Sequence, residues 1–187
     1  LIDLYLFIPN IFLWFCCCLL VVIMTSILMN RQSCHFYYFD GSRKKFSIFN
    51  LQFPVSRCYL TQLFRQINQL PDGEADLVFK KLRGQLYTDF FFMPGAYLGI
   101  GLFCMEVASK YHGLIHCFLA LLAWSQLLAW LLDIIENLYL LSLIKNPKII
   151  TSFFFICYRV LEILKWGLSL GGFLSALGFA LYLHCLY

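Results

Sequence analysis

Charge is the scarcest property of this chain: 187 residues hold 14 Lys or Arg and 10 Asp or Glu, against 61% hydrophobic residues. A water-soluble domain of that composition would turn large apolar surfaces to solvent, so an ordinary soluble globule is excluded. Several chemical signatures are missing too. The chain has no glycine-rich nucleotide loop, no Ser/His/Asp arrangement, no HExxH and no CxxC pair. The net charge of +4 comes without any recognisable nucleic-acid-binding module. No half of the sequence repeats the other, as an inverted-repeat transporter would. No polar stripe runs the whole length of any apolar run.

What remains is a polytopic membrane protein. Apolar runs long enough to cross a bilayer, about 20 residues at 1.5 Å each, occupy roughly 5–29, 89–109, 113–144 and 149–187. The expectation is one all-α membrane domain over 1–187, a four-transmembrane-helix bundle. The first run lacks a positive n-region and a small-residue cleavage site, so it reads as a spanning helix rather than a signal peptide. Cys16, Cys17, Cys18, Cys104 and Cys157 lie inside these runs and read as small buried hydrophobes.

Residues 31–88 form the only long polar segment and hold nine of the basic residues: Arg31, Arg43, Lys44, Lys45, Arg57, Arg65, Lys80, Lys81 and Arg83. Connections rich in Lys and Arg stay on the cytoplasmic side. On that rule 31–88 and the turn 145–148 face the cytoplasm, with both termini opposite and a bacterial inner membrane as the expected location. A basic surface there would also attract anionic lipid head groups, by about 1 kcal/mol per well-placed charge. Within the segment, FSIFNLQFP (46–54) alternates apolar and polar residues before a proline and predicts a short strand or extended piece. SRCYLTQLFRQINQL (56–70) spaces Leu60, Leu63, Phe64, Ile67 and Leu70 as an amphipathic helix, on the membrane or against the bundle. EADLVFKKLRGQLY (74–87) can run as a helix into the second span.

The third run contains LLDIIENLYLL (131–141), where Asp133, Glu136 and Asn137 interrupt hydrocarbon-like sequence. Residues equally far from a tight helix turn lie at equal height. With one turn centred on 146–147 and another on Tyr111, Asp89, Asp133 and Glu136, and Arg159 and Glu162 come to similar heights, with Lys165 a turn deeper. Gln126, Trp130, Asp133 and Asn137 share a 4-3-4 seam, and Arg159, Glu162 and Trp166 share a face. The expected polar cluster is therefore Asp89, Gln126, Asp133, Glu136, Asn137, Arg159, Glu162 and Lys165, with Asp133–Arg159 as its leading ion pair. Two readings stay open. One is a network that fixes helix register near the membrane boundary; the other is a cavity for a substrate, lipid head group, ion or proton. Four acidic side chains against two basic ones leave a carboxylate for a proton or cation to balance.

Elsewhere, Glu106, His112, His116 and His184 gather near helix ends as weak metal candidates, with His112 and His116 at i, i+4. Ordinary hydrogen bonding by boundary histidines explains them as well, and neither a metal nor another cofactor is expected. Gly95–Gly99 and Gly167–Gly171, continued by Gly172–Ala176, are small-xxx-small pairs that let helices approach and are expected to mark the contacts of the second and fourth helices. Pro94 is placed to kink the second span. Tyr5, Trp14, Tyr182 and Tyr187 fit an aromatic belt.

FSIFNLQFP, DFFFMP (89–94), DIIEN (133–137) and the Lys165-Trp166 pair, taken in that order over roughly 46–170, resemble a type of small four-helix bacterial membrane protein. The resemblance implies a bundle and lends no catalytic role to any residue. Function is expected to be non-enzymatic: an accessory or binding subunit of a membrane assembly, with a protein partner or a second copy beside it. The alternative is a small transporter or membrane enzyme for a lipid-like or cationic substrate, using Asp89, Asp133, Glu136 and Arg159.

Overall fold

The computed structural model describes residues 10–71, 73–146 and 151–186. Among them the order is α1 (Ile11–Ser33), β1 (Tyr37–Phe39), β2 (Arg43–Lys45), α2 (Phe49–Gln52), α3 (Arg57–Ile67), α4 (Glu74–Ala108), α5 (Leu114–Lys145) and α6 (Ser152–Leu186). Helices α1, α4, α5 and α6 are long and apolar enough to cross a membrane. The chain is thus all-α in class, with a short segment between the first two long helices. Tyr5, Tyr187, the part of the first run before residue 10, and Pro147 and Lys148 of the last turn lie outside the described residues.

Backbone proximity divides the chain into two compact units, each containing part of every long helix. The first comprises the described residues of 1–23, 92–132 and 163–187. Its helices approach through small residues. A Cβ on Gly95 would stand 3.0 Å from the Cys18 carbonyl oxygen and 3.1 Å from Val21 Cγ1, and one on Gly99 would stand 3.4 Å from Cys18 Cβ. The Gly95–Gly99 pair thus makes its close contact with α1. Gly167 and Gly171 instead face open space, so the expected contact on that pair does not form; Gly172 is the glycine of α6 that meets a neighbour. A core of Cys104, Val107, Ala108, Leu119, Ala123 and Ala176 fills the interior, and Phe103 links Phe15 on α1 to Phe173 on α6. Of the five helical cysteines, Cys104 alone is fully buried. Cys17 is exposed and Cys16, Cys18 and Cys157 are partly covered, so the expectation that all five are buried is corrected.

The second unit comprises the described residues of 24–91 and 133–162. The interhelix segment does not lie free: its apolar side chains form most of this unit's core. Leu60, Leu63, Phe64 and Ile67 of α3 pack with Phe36, Leu51, Leu82, Leu86, Leu140 and Leu143. Each fully buried leucine or isoleucine contributes about 1.5–3 kcal/mol relative to exposure. The amphipathic pattern of 56–70 is therefore a core face, stopped at its start by Ser56, whose Oγ accepts from the Tyr59 N–H at 3.1 Å.

The strand expected over 46–54 is a correction. The antiparallel ladder lies earlier, pairing Tyr37 with Lys45 and Phe39 with Arg43 around Asp40-Gly41-Ser42, where Gly41 has φ 68. In 46–54, local bonds replace a ladder: Ser47 N–H donates to Asn50 Oδ1 at 2.8 Å and a single helical turn, α2, forms. The apolar residues then bury at 46 and 51 rather than at alternate positions. By contrast, 74–108 is one continuous helix as expected, entered after Gly73 with Glu74 and Asp76 in its first turn. It runs through Pro94, whose missing N–H an apolar helix tolerates when neighbours cover the turn.

Candidate functional site

The second unit gathers Asp89, Asp133, Glu136, Asn137, Arg159 and Glu162 from α4, α5 and α6. Asp133 is 6% exposed, and Glu136, Asn137 and Glu162 are fully buried. Spacing explains why α5 turns three of them inward: 129, 133, 136, 137, 140 and 143 are all buried, the 3–4 repeat of one helix face.

Their partners define what the cluster does. Gln52 Nε2 donates to Glu136 Oε1 at 3.2 Å. Tyr158 Oη lies 2.9 Å from the Leu51 carbonyl oxygen and 3.3 Å from Glu162 Oε1. Arg159 Nη1 donates to the Pro54 carbonyl oxygen at 2.6 Å. Three of these four contacts reach from α5 or α6 to one stretch, 51–54, and the fourth, Tyr158 to Glu162, stays within α6, while Asn50 Nδ2, next to that stretch, donates to Tyr59 Oη at 3.2 Å and ties it to α3. The polar groups of the two helices thus act as a clasp on a strap formed by 47–54. Buried backbone carbonyls at Leu51 and Pro54 need donors, and Tyr158 and Arg159 supply them.

The expected Asp133–Arg159 ion pair is therefore corrected: Arg159 turns to the Pro54 carbonyl. At the periphery, ion pairs join Arg43 to Glu74 at 3.2 Å, Lys44 to Asp40 at 2.6 Å and Lys110 to Glu106 at 3.2 Å. A strap carbonyl offers the guanidinium a fixed acceptor without burying two full charges together. Asp89 meets α5 one turn beyond the height match, through Asn137 Nδ2 at 2.7 Å from its Oδ2. Equal-height reasoning thus identifies the face and misses the rung.

Gln126 and Lys165 belong to the first unit. Gln126 Nε2 donates to the carbonyls of Leu122 and Leu168, both at 3.1 Å, and so joins α5 to α6. Lys165 is 3% exposed, with its Nζ 5.8 Å from the Trp166 ring centroid. The weak metal candidates also lie in that unit. Glu106 pairs with Lys110, His116 Nδ1 is 2.8 Å from the Ala108 carbonyl oxygen at the end of α4, and His112 and His184 are exposed. Among the described residues no group of three or more His, Cys, Asp or Glu side chains is placed to hold a metal ion.

Sequence reasoning missed Tyr158, Gln52, Leu51 and Pro54 as members of this site. One signal was present: Tyr158 precedes Glu162 by four residues, on the face already assigned to α6.

Outside, eight of the nine basic residues of 31–88 are exposed and Lys81 is half-buried. Arg43 stacks over the Tyr37 ring at 4.4 Å, which fixes the hairpin's basic strand. Asp40 raises the pKa of the Lys44 ammonium through a side-chain hydrogen bond. Lys45, Arg65, Lys80 and Arg83 are exposed and enter none of the ion pairs.

Compared with known proteins, the chain matches no family model, no curated protein and no solved structure.

Proposed function

We propose that this chain is a small integral membrane protein that works by binding, as an accessory subunit of a membrane assembly, rather than by catalysis. The observation that carries the reading is the inward use of the polar cluster. Glu136, Tyr158 and Arg159 hold the strap, and the amphipathic face of α3 is filled by the core, so neither presents a reacting group to a cleft. What faces outward is recognition surface: exposed bases on the hairpin, α3 and α4, and long apolar helices suited to lipid and partner helices.

The Lys/Arg excess supports an orientation with 31–88 and 145–148 on the cytoplasmic side and both termini opposite. A bacterial inner membrane suits that reading. The transporter or enzyme alternative is less favoured, because Arg159, its expected counter-charge to Asp133, is engaged by a backbone carbonyl.

A mild-detergent pull-down with mass spectrometry of proteins and lipids tests the proposal. Stoichiometric co-purification of a larger complex supports it. A monodisperse protein that keeps a tightly held small molecule and no partner counts against it.

A further inference from the structure

A cavity of about 340 Å³ lies among α1, α4 and α6 within the first unit, and apart from Ser169 its walls are apolar. Its size falls in the range of small-molecule sites, which form readily between the helices of bundles. Gly95, Ala96 and Gly99 make the room on the α4 side, where larger side chains would fill it. The space is long and narrow. From Phe15 to Val22 on α1 and from Gly95 to Phe103 on α4, its walls extend about 10–12 Å along the helices at 1.5 Å per residue. Spread over that length, the volume gives a mean cross-section of about 30 Å². A helix about 10 Å across needs about 80 Å², more than twice as much. A methylene chain, with contact distances of about 4 Å around it, needs about 20 Å². At the end formed by Phe15 and Phe103, a second cavity of about 470 Å³ shares both rings as walls and adds Asn10 and Glu106. Asn10 immediately precedes α1 and Glu106 lies in the last turn of α4, so the polar cavity sits at the helix ends and the apolar one deeper.

We infer that this groove is a binding site for one membrane phospholipid, with an acyl chain lying along α1, α4 and α6 and the head group at Asn10 and Glu106. An apolar length followed by a polar end is the order of groups along such a molecule. Glu106 is paired with Lys110 at 3.2 Å, so the mouth brings no net charge and suits a zwitterionic head. Lipid tails are as apolar as leucine, so selection inside a bilayer rests on packing contact rather than on escape from water. A chain in the groove touches walls from three helices, whereas a chain on an open helix face is touched from one side, and small dispersion contacts sum. The rival occupants are lipid passing over the surface without a fixed seat and a helix from a second copy; the cross-section speaks against the helix. This inference stands independently of the accessory-subunit reading: a chain that keeps both a lipid and a protein partner satisfies both, and loss of either leaves the other standing.

The test titrates palmitoyl-oleoyl phosphatidylcholine into the full chain, delipidated in mild detergent, and counts bound lipid by native mass spectrometry. The site predicts saturation at one lipid per chain. Ser169→Leu and Ala96→Leu, each at a half-buried wall position, enlarge a side chain in the groove and should each weaken that binding at least about tenfold. Leu128→Phe, on an exposed face of α5, should leave it unchanged. A statistical ladder of lipids with no plateau overturns the proposal in favour of passing lipid. A plateau that neither wall variant moves, or that Leu128→Phe moves as far, puts the lipid elsewhere and overturns it too. A wild-type dimer that binds no lipid and dissociates in the wall variants overturns it in favour of a helix from a second copy. If one wall variant does not fold, the other decides, with the wild-type plateau, by the same criteria.

Discussion

Replacing Tyr158 by Phe removes one oxygen atom from the centre of the clasp and leaves the ring in place. Tyr158 is 2% exposed, Leu51 and Glu162 are fully buried, and the ring packs on Tyr139 with centroids 5.2 Å apart. The substitution deletes the contacts at 2.9 and 3.3 Å and orphans the Leu51 carbonyl away from water. An orphaned buried acceptor costs about 1–3 kcal/mol, so Tyr158→Phe should weaken closure of the strap by about 2 kcal/mol. That corresponds to a roughly 30-fold larger open population. Hydrogen exchange is the suitable assay, because Trp14, Trp124, Trp130 and Trp166 all belong to the first unit and tryptophan fluorescence would report on that unit instead. Amides of residues 51–53, whose N–H groups bond back to Ile48 and Phe49, should exchange about 30-fold faster if local opening limits them. Tyr139→Phe is the control: the Tyr139 hydroxyl is buried with no partner, so its removal should leave exchange unchanged or slower. Equal exchange in Tyr158→Phe and wild type, or equal acceleration by both substitutions, would refute the reasoning.

Other outcomes follow from the same geometry. In an Asp133→Asn, Arg159→Gln double-mutant cycle the two effects should add to within about 0.5 kcal/mol; a larger coupling would mean that the two side chains are paired. Gly172→Ala puts a Cβ 2.5 Å from Gln126 Nε2 and should cost about 1–3 kcal/mol in a melt followed by tryptophan fluorescence. Gly171→Ala, which meets nothing within 4 Å, should be neutral or slightly stabilising. Cys34, Cys58, Cys117 and Cys185 are exposed thiols, so in single-cysteine variants an impermeant maleimide should label Cys34 and Cys58 from the cytoplasmic side and Cys117 and Cys185 from the other. Labelling with the two pairs exchanged would reverse the orientation, and labelling of all four from one side would refute the four-span arrangement.

How far the sequence could be read depended on the kind of signal. Long apolar runs and the 3–4 spacing of α3 state their burial directly, because hydrophobic periodicity and core packing are the same fact seen twice. The inward face of α5 was legible for that reason, as was the continuity of 74–108. The short elements were not. Asp40-Gly41-Ser42, the turn of the hairpin, went unread, and the alternation of 46–54 pointed to a strand where Ser47 and Asn50 offer side-chain bonds that favour a local turn. The cluster's membership was partly legible and its wiring was not. Charge matching pointed Arg159 at Asp133, but backbone carbonyls carry no letter in a sequence, and the carbonyl of Pro54 is where the guanidinium goes. Tyr158 was overlooked because an aromatic in an apolar helix looks like core, as most of its surface is.

The central claim is that the buried polar groups hold the protein together and the outer basic surface does the binding. Quantitative pull-down of two variants against wild type tests it most directly: Glu136→Gln, which keeps an oxygen for Gln52, and Lys45→Glu with Lys80→Glu on the exposed face. The account predicts that Glu136→Gln retains its partners in wild-type ratio while the charge-reversed variant loses them. Loss of partners in a folded Glu136→Gln, with the charge-reversed variant unaffected, would contradict it.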